Sequence, residues 1–177
     1  MRIIILLMLV LLSAFTVSST FYDFRFRTIE GVNRQTSEFA GRKIVILVLP
    51  STRQPGEETY LQRLDSLSKA HPEIVMIGVP SYEEGFSLDS LQSLKIWYRS
   101  ELDSQFIITD GLYTRKTSVI GQHPLFKWLT DKDQNIHFNE DVAGPGQQFF
   151  INGQGQLYCV AGPEARFSDQ LFTRMME

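Results

Sequence analysis

Two uninterrupted apolar runs joined by one amphipathic helix constrain this chain most. Residues 44–49 read IVILVL and end at Pro50, and residues 74–79 read IVMIGV and end at Pro80. Neither run alternates with polar residues. Each therefore reads as a strand buried on both faces, as in the middle of a parallel sheet. Between them, residues 57–70 place Tyr60, Leu61, Leu64 and Leu67 on one helical face, and His71-Pro72 halts the pattern. Strand, helix, strand is a βαβ unit, with a right-handed crossover expected.

The loop of residues 51–56 follows the first run. A loop at the end of a central strand is exposed, and the helix N-terminus after it lowers the pKa of a thiol placed there. Here the loop reads STRQPG and holds no cysteine. Cys159 is the one cysteine of the chain, so no intramolecular disulfide can form. None is needed: 177 residues make one domain, and 43% of them are hydrophobic, enough for a core.

At the N-terminus, Arg2 precedes ten residues without a polar side chain (3–12), and residues 13–20 turn small and hydroxylated. That order predicts a secretory signal peptide. The apolar stretch is shorter than the ~20 residues of a membrane span. Cleavage is expected after Ser18 or Ser19, giving a signal peptide over 1–19 and a single domain over 20–177. An uncleaved N-terminal segment is the alternative. The product is expected to be exported, either periplasmic or secreted. Without Arg2 the formal charge goes from −3 to −4, with 16 basic against 20 acidic residues. That balance gives no electrostatic case for nucleic acid or for anionic lipid.

Residues 21–27 (FYDFRFR) alternate aromatic with polar and predict a half-buried edge strand, and residues 35–40 a short polar link. After the second run, residues 81–86 form a polar loop. Leu88, Leu91, Leu94 and Trp97 then predict a second helix, capped by Ser87 with Asp89 in its first turn. Residues 106–108 make a short strand, His123-Pro124 opens a short helix, and residues 131–140 form a surface segment. Residues 149–151 and 157–161 flank Asn152-Gly153-Gln154-Gly155 as a hairpin. A terminal helix is expected over 167–176, with Phe167, Leu171 and Met175 at four-residue spacing. The order implies an α/β, thioredoxin-like three-layer fold, with a central mixed sheet and helices on both faces.

Several segments together resemble the glutathione peroxidase family. Phe21-Tyr22-Asp23-Phe24, Gly31, Gly41 and the first apolar run follow its opening. Ile77-Gly78-Val79-Pro80 with Gly85 resembles its second-strand motif. Gly121-Gln122-His123-Pro124-Leu125-Phe126-Lys127-Trp128-Leu129 resembles its Gly-x-x-His-Pro-Leu segment, the most specific of these. Phe149-Phe150-Ile151 with Gly155 resembles a later strand and turn. The resemblance implies where the family's working residues would fall. The peroxidatic cysteine or selenocysteine falls on Arg53, counting from Gly41, or on Gln54, counting back from Tyr60. The glutamine falls on Ser87, the Trp-Asn pair on Gly144-Pro145, and a second cysteine on Ser81. The chain thus resembles a divergent, exported member lacking these groups.

Peroxide reduction needs a thiolate or selenolate to attack the O–O bond. A guanidinium or an amide has no such lone pair to offer at neutral pH. Cys159, within the apolar stretch LYCVA, reads as a small buried hydrophobe with a raised pKa. The leading expectation is a protein without peroxidase activity, acting as a binding or scaffold module through a cleft bordered by Arg53, Gln54, Tyr82 and Ser87. The alternative is an active thiol peroxidase, in the oxidative-stress response, using Cys159. No cofactor is expected. His71, His123 and His137 are widely spaced, so no metal site is expected either. His123 reads as a helix start, and Glu83-Glu84 as a solvated pair. A protein or small molecule of the cell envelope is the expected partner, with no nucleic acid and no membrane contact beyond an uncleaved N-terminal segment.

Overall fold

All six residues of β3 (Ile44–Leu49) are fully buried, because the strand lies at the middle of a sheet covered on both faces. The computed structural model describes residues 20–165 and 169–176. Residues 1–19, where the signal peptide is expected, and Phe167 lie outside the described residues. In the main sheet the strand order is β5 (Ile107–Ile108), β4 (Val75–Pro80), β3, β6 (Gln148–Ile151) and β7 (Leu157–Ala161). β3 runs parallel to β4, which runs parallel to β5. On its other side β3 runs antiparallel to β6, which forms a hairpin with β7.

The pleat sorts the apolar run into two cores. Val45, Leu47 and Leu49 meet Tyr60, Leu61 and Leu64 of α1 (Glu57–Ala70), and Leu94, Trp97 and Tyr98 of α2 (Leu91–Glu101). Phe172 of the C-terminal helix joins this side. Ile44, Ile46 and Val48 meet Leu125, Phe126 and Trp128 of α3 (Pro124–Thr130) on the other. A continuous apolar run was therefore required: no residue of β3 has a solvent face. Packing leaves no room for a side chain at Gly78 of β4, where a Cβ would stand 2.5 Å from Leu49 Cδ1. Both helical layers and the mixed sheet agree with the expected architecture.

Several local expectations are corrected. Residues 21–27 are not one edge strand of the main sheet. Thr20 and Asp23 form a capping box around a 3-10 turn, Phe21–Asp23. Only then does β1 (Arg25–Arg27) begin, and it pairs with β2 (Asn33–Gln35) in a separate two-stranded ribbon. The expected link over 35–40 holds a second 3-10 turn, Thr36–Phe39, which sends Phe39 into the core. Ser87 does cap, but it caps a 3-10 turn, Leu88–Ser90, and α2 starts at Leu91. Leu88 is consequently exposed rather than part of the buried face. Residues 131–140 contain a short helix, α4 (Lys132–Asn135). Its Asn135 is buried, donating to the carbonyls of Trp128 (2.8 Å) and Phe138 (2.9 Å) and accepting from the Phe138 N–H (2.7 Å). The last helix, α5, runs Asp169–Met176.

Candidate functional site

The loop of residues 51–56 leaves the carboxyl end of β3 beside α2. The Tyr98 hydroxyl donates to the Pro50 carbonyl at 2.7 Å and ties the loop's start to that helix. Burial pushes the Tyr98 phenol far up, so it stays a donor. Arg53, two residues into the exposed part of the loop, lays its guanidinium 5.4 Å from the centroid of the Trp97 ring. A groove of about 410 Å³ opens there, lined by Arg53, Ser93, Leu94, Ile96 and Trp97. It includes neither Tyr82 nor Ser87. Gln54 is exposed in the same loop.

The second loop leaves the carboxyl end of β4. Ser81 is fully buried, with its hydroxyl 2.9 Å from Glu83 Oε2 and 2.7 Å from Thr114 Oγ1. Glu83 Oε2 also accepts the Thr114 N–H at 2.9 Å. Burial pushes the Glu83 carboxyl up, but the N–H groups of Thr114 and Glu83 and the hydroxyls of Ser81 and Ser118 outweigh it, and the net shift is downward. Glu84 forms an ion pair with Arg115. The expected solvated Glu83-Glu84 pair is thus corrected: both carboxylates fasten the segment after β5 to this loop. Tyr82 stacks on Tyr113, with centroids 4.4 Å apart at 14°, and meets the edge of Phe86 at 5.0 Å. Burial, Tyr113 and Asp110 all push the Tyr82 phenol up. Ser87 is engaged as a cap, its Oγ accepting the Ser90 N–H at 3.3 Å.

A third segment reaches the same end of the sheet. The Gly146 N–H donates to the Val48 carbonyl at 2.8 Å. A Cβ on Gly144 would lie 4.0 Å from Glu84, and a Cβ on Gly85 3.8 Å from Thr52. The three loops carrying Arg53 and Gln54, Ser87, and Gly144 and Pro145 therefore converge, although the side chains of Arg53 and Tyr82 face different neighbours. Sequence reasoning missed Trp97 and Arg115 as site residues. Trp97 carried only a core signal, and Arg115 carried none.

Cys159 lies elsewhere. It sits on β7 opposite Phe150, which sits opposite Val45, near the start of β3. By strand spacing and rise, that is on the order of 20 Å from the loop after β3. The thiol is half-buried against the α1–α2 core, rather than fully buried as expected, because β7 is the edge strand. Burial pushes its pKa up. His123 caps α3: its Nδ1 accepts the Leu125 N–H at 3.3 Å, its main-chain N–H donates to the Tyr113 carbonyl at 2.8 Å, and burial lowers the pKa of the ring. Among the described residues, no group of three or more His, Cys, Asp or Glu is placed to hold a metal ion.

No protein-family model matches the chain, and no curated protein matches it in sequence. Solved structures do. T. cruzi GPX1 superposes with a TM-score of 0.61 at 13% identity, covering 89% of this chain and 95% of that one. The Xanthomonas campestris bacterioferritin comigratory protein, described for its alkyl peroxide reduction activity, gives 0.56 at 15%, covering 90% and 96%. A secreted Mycobacterium tuberculosis disulfide oxidoreductase homologous to E. coli DsbE gives 0.55 at 18%, covering 88% and 96%. The chain has a thioredoxin-like fold. Its structural neighbours are glutathione peroxidase-like and peroxiredoxin- or thioredoxin-like proteins. In this thioredoxin-like chain, the loop after β3 presents a guanidinium over an indole face. That arrangement pairs with anions and stacks on flat groups, and it attacks nothing.

Proposed function

We propose that this is an exported thioredoxin-fold protein without peroxidase activity. It acts as a binding module that takes its ligand at the carboxyl end of β3 and β4. The observation that carries the reading is the position of the one thiol. Cys159 is half-buried on the edge strand with its thiol pKa raised, remote from the loop where Arg53 lies over Trp97. A thiol at that position supplies little thiolate at neutral pH. The Arg53 loop offers a cation, backed by the buried Trp97 ring, to a protein or small molecule of the cell envelope. The residue order of the first nineteen positions supports export.

The test is peroxide consumption by the purified protein, with glutathione or thioredoxin as reductant. No turnover is expected. Turnover that disappears on Cys159→Ala would overturn the reading and establish a thiol peroxidase instead. Iodoacetamide is expected to modify Cys159 slowly in the native protein and fully after unfolding.

A further inference from the structure

The β1–β2 ribbon carries a charged face that the loops around Arg53 do not use. The antiparallel register sets Arg25 opposite Gln35 and Arg27 opposite Asn33. Directly opposed residues share a face, so these four side chains form one array. All four are exposed, while Phe26 on the reverse face is buried. Side chains two apart on a strand lie about 7 Å apart, and cross-strand neighbours about 5 Å. Arg34 belongs to the reverse face, where its Nε meets Glu38 at 2.6 Å and its guanidinium lies 5.3 Å from the Phe39 ring. Arg27 is held loosely, by Asp110 at 3.8 Å and by the Gly31 carbonyl at 3.3 Å. Arg25 has no polar partner among the described residues. A cleft of about 440 Å³ opens along this array.

The ribbon also has a free edge, since among the described residues β2 pairs only with β1. The Thr28 N–H donates to the Val32 carbonyl (2.8 Å) and the Thr36 N–H to the Phe24 carbonyl (3.0 Å), so the even-numbered residues turn inward. By alternation, the main-chain groups of Asn33 and Gln35 turn outward. Glu38 already accepts the Gln35 N–H at 2.8 Å, which leaves Asn33 facing out.

We propose that this ribbon docks an extended acidic segment of a partner protein, laid along β2 with carboxylates at alternate positions. Alternate side chains of an extended peptide repeat about every 7 Å, which matches the spacing of Arg25 and Arg27. The peptide main chain meets Asn33, and the Asn33 and Gln35 amides donate from the same face as the arginines. Exposed Val32 at the ribbon turn offers an apolar contact at one end. Charge selects the occupant: the two guanidiniums stand out on a chain of net charge −3. Glu30, Glu38 and Asp110 flank the array, so a broad anionic surface such as a membrane would press against carboxylates. A single strand, about 5 Å wide in a sheet, covers only part of that rim.

The probe is a labelled synthetic peptide with Glu at alternate positions in a Thr/Val background. Controls are a peptide of the same composition with its Glu residues adjacent, and anionic phospholipid vesicles. The full chain is expected to bind the alternating peptide, to weaken as salt rises, and to gain exchange protection at the Asn33 amide. Binding is expected to fall about tenfold in Arg25→Glu/Arg27→Glu. Arg25→Glu alone, at a side chain without partners, guards against a folding artefact and is expected to weaken binding in part. No binding, equal binding of both peptides, equal binding by the variants, or preference for the vesicles overturns the proposal.

Discussion

The Arg53 guanidinium lies 5.4 Å from the centre of the Trp97 ring, joining the loop after β3 to a helix forty-four positions further along the chain. Trp97 is 1% exposed, so the arginine covers a ring already fixed in the core. Arg53→Ala removes an exposed cation–π contact and is expected to cost about 0.5–1 kcal/mol in urea unfolding. Arg53→Lys is expected to recover only part of that, because a lysine ammonium does not stack as a plane.

Gly78 faces Leu49 and Phe106, both fully buried, and a Cβ would stand 2.5 Å from Leu49 Cδ1 and 3.0 Å from the Phe106 ring. Gly78→Ala is therefore expected to destabilise despite adding apolar surface. Overpacking of this kind costs about 1–3 kcal/mol. A thermal midpoint unchanged or raised would show that the two side chains move aside freely.

Ser81 and Thr114 are both fully buried and meet through their hydroxyls at 2.7 Å, with Glu83 as the shared acceptor. Ser81→Ala removes a hydrogen bond to the Glu83 carboxylate and one to the Thr114 hydroxyl, which keep their contact with each other. The expected cost is about 1–3 kcal/mol by denaturant unfolding. Amide exchange should rise first over residues 112–116, the segment this network holds.

Burial holds the His123 pKa below 6.5. The unfolded chain therefore takes up the proton first as pH falls. The stabilising effect of the neutral ring is complete above about pH 6.5 and is lost as pH drops toward the folded value, after which the loss stops. Unfolding free energy is expected to decline as pH falls below about 6.5, ahead of the carboxylate range. His123→Asn keeps an N-cap acceptor without a titrating group and should flatten that decline. An unchanged slope in the variant would assign the decline to other groups.

The central layer was legible without coordinates. Unbroken apolar runs at 44–49 and 74–79, with a helical face between them, admit little except parallel strands covered on both sides. The hairpin around Asn152 and Gly155 and the helix opened by His123 were equally plain, because turn and cap chemistry acts within a few residues. Periodicity names the face of a residue and leaves its partner open. The alternation FYDFRFR fitted an edge of the main sheet as well as a separate ribbon. What chose the ribbon was the capping box at Thr20 and Asp23, together with pairing to Asn33 and Gln35.

The site divides the same way. Composition alone established that the loop after β3 holds no sulfur and that the chain has a single cysteine. Folding decided that Cys159 would stand two strands away at the opposite end of the rows, that Glu84 would meet Arg115, and that Trp97 would lie beneath Arg53. These are encounters between segments tens of residues apart. Local patterns carry no record of them, because only the closing of the whole sheet brings the loops at its carboxyl end together.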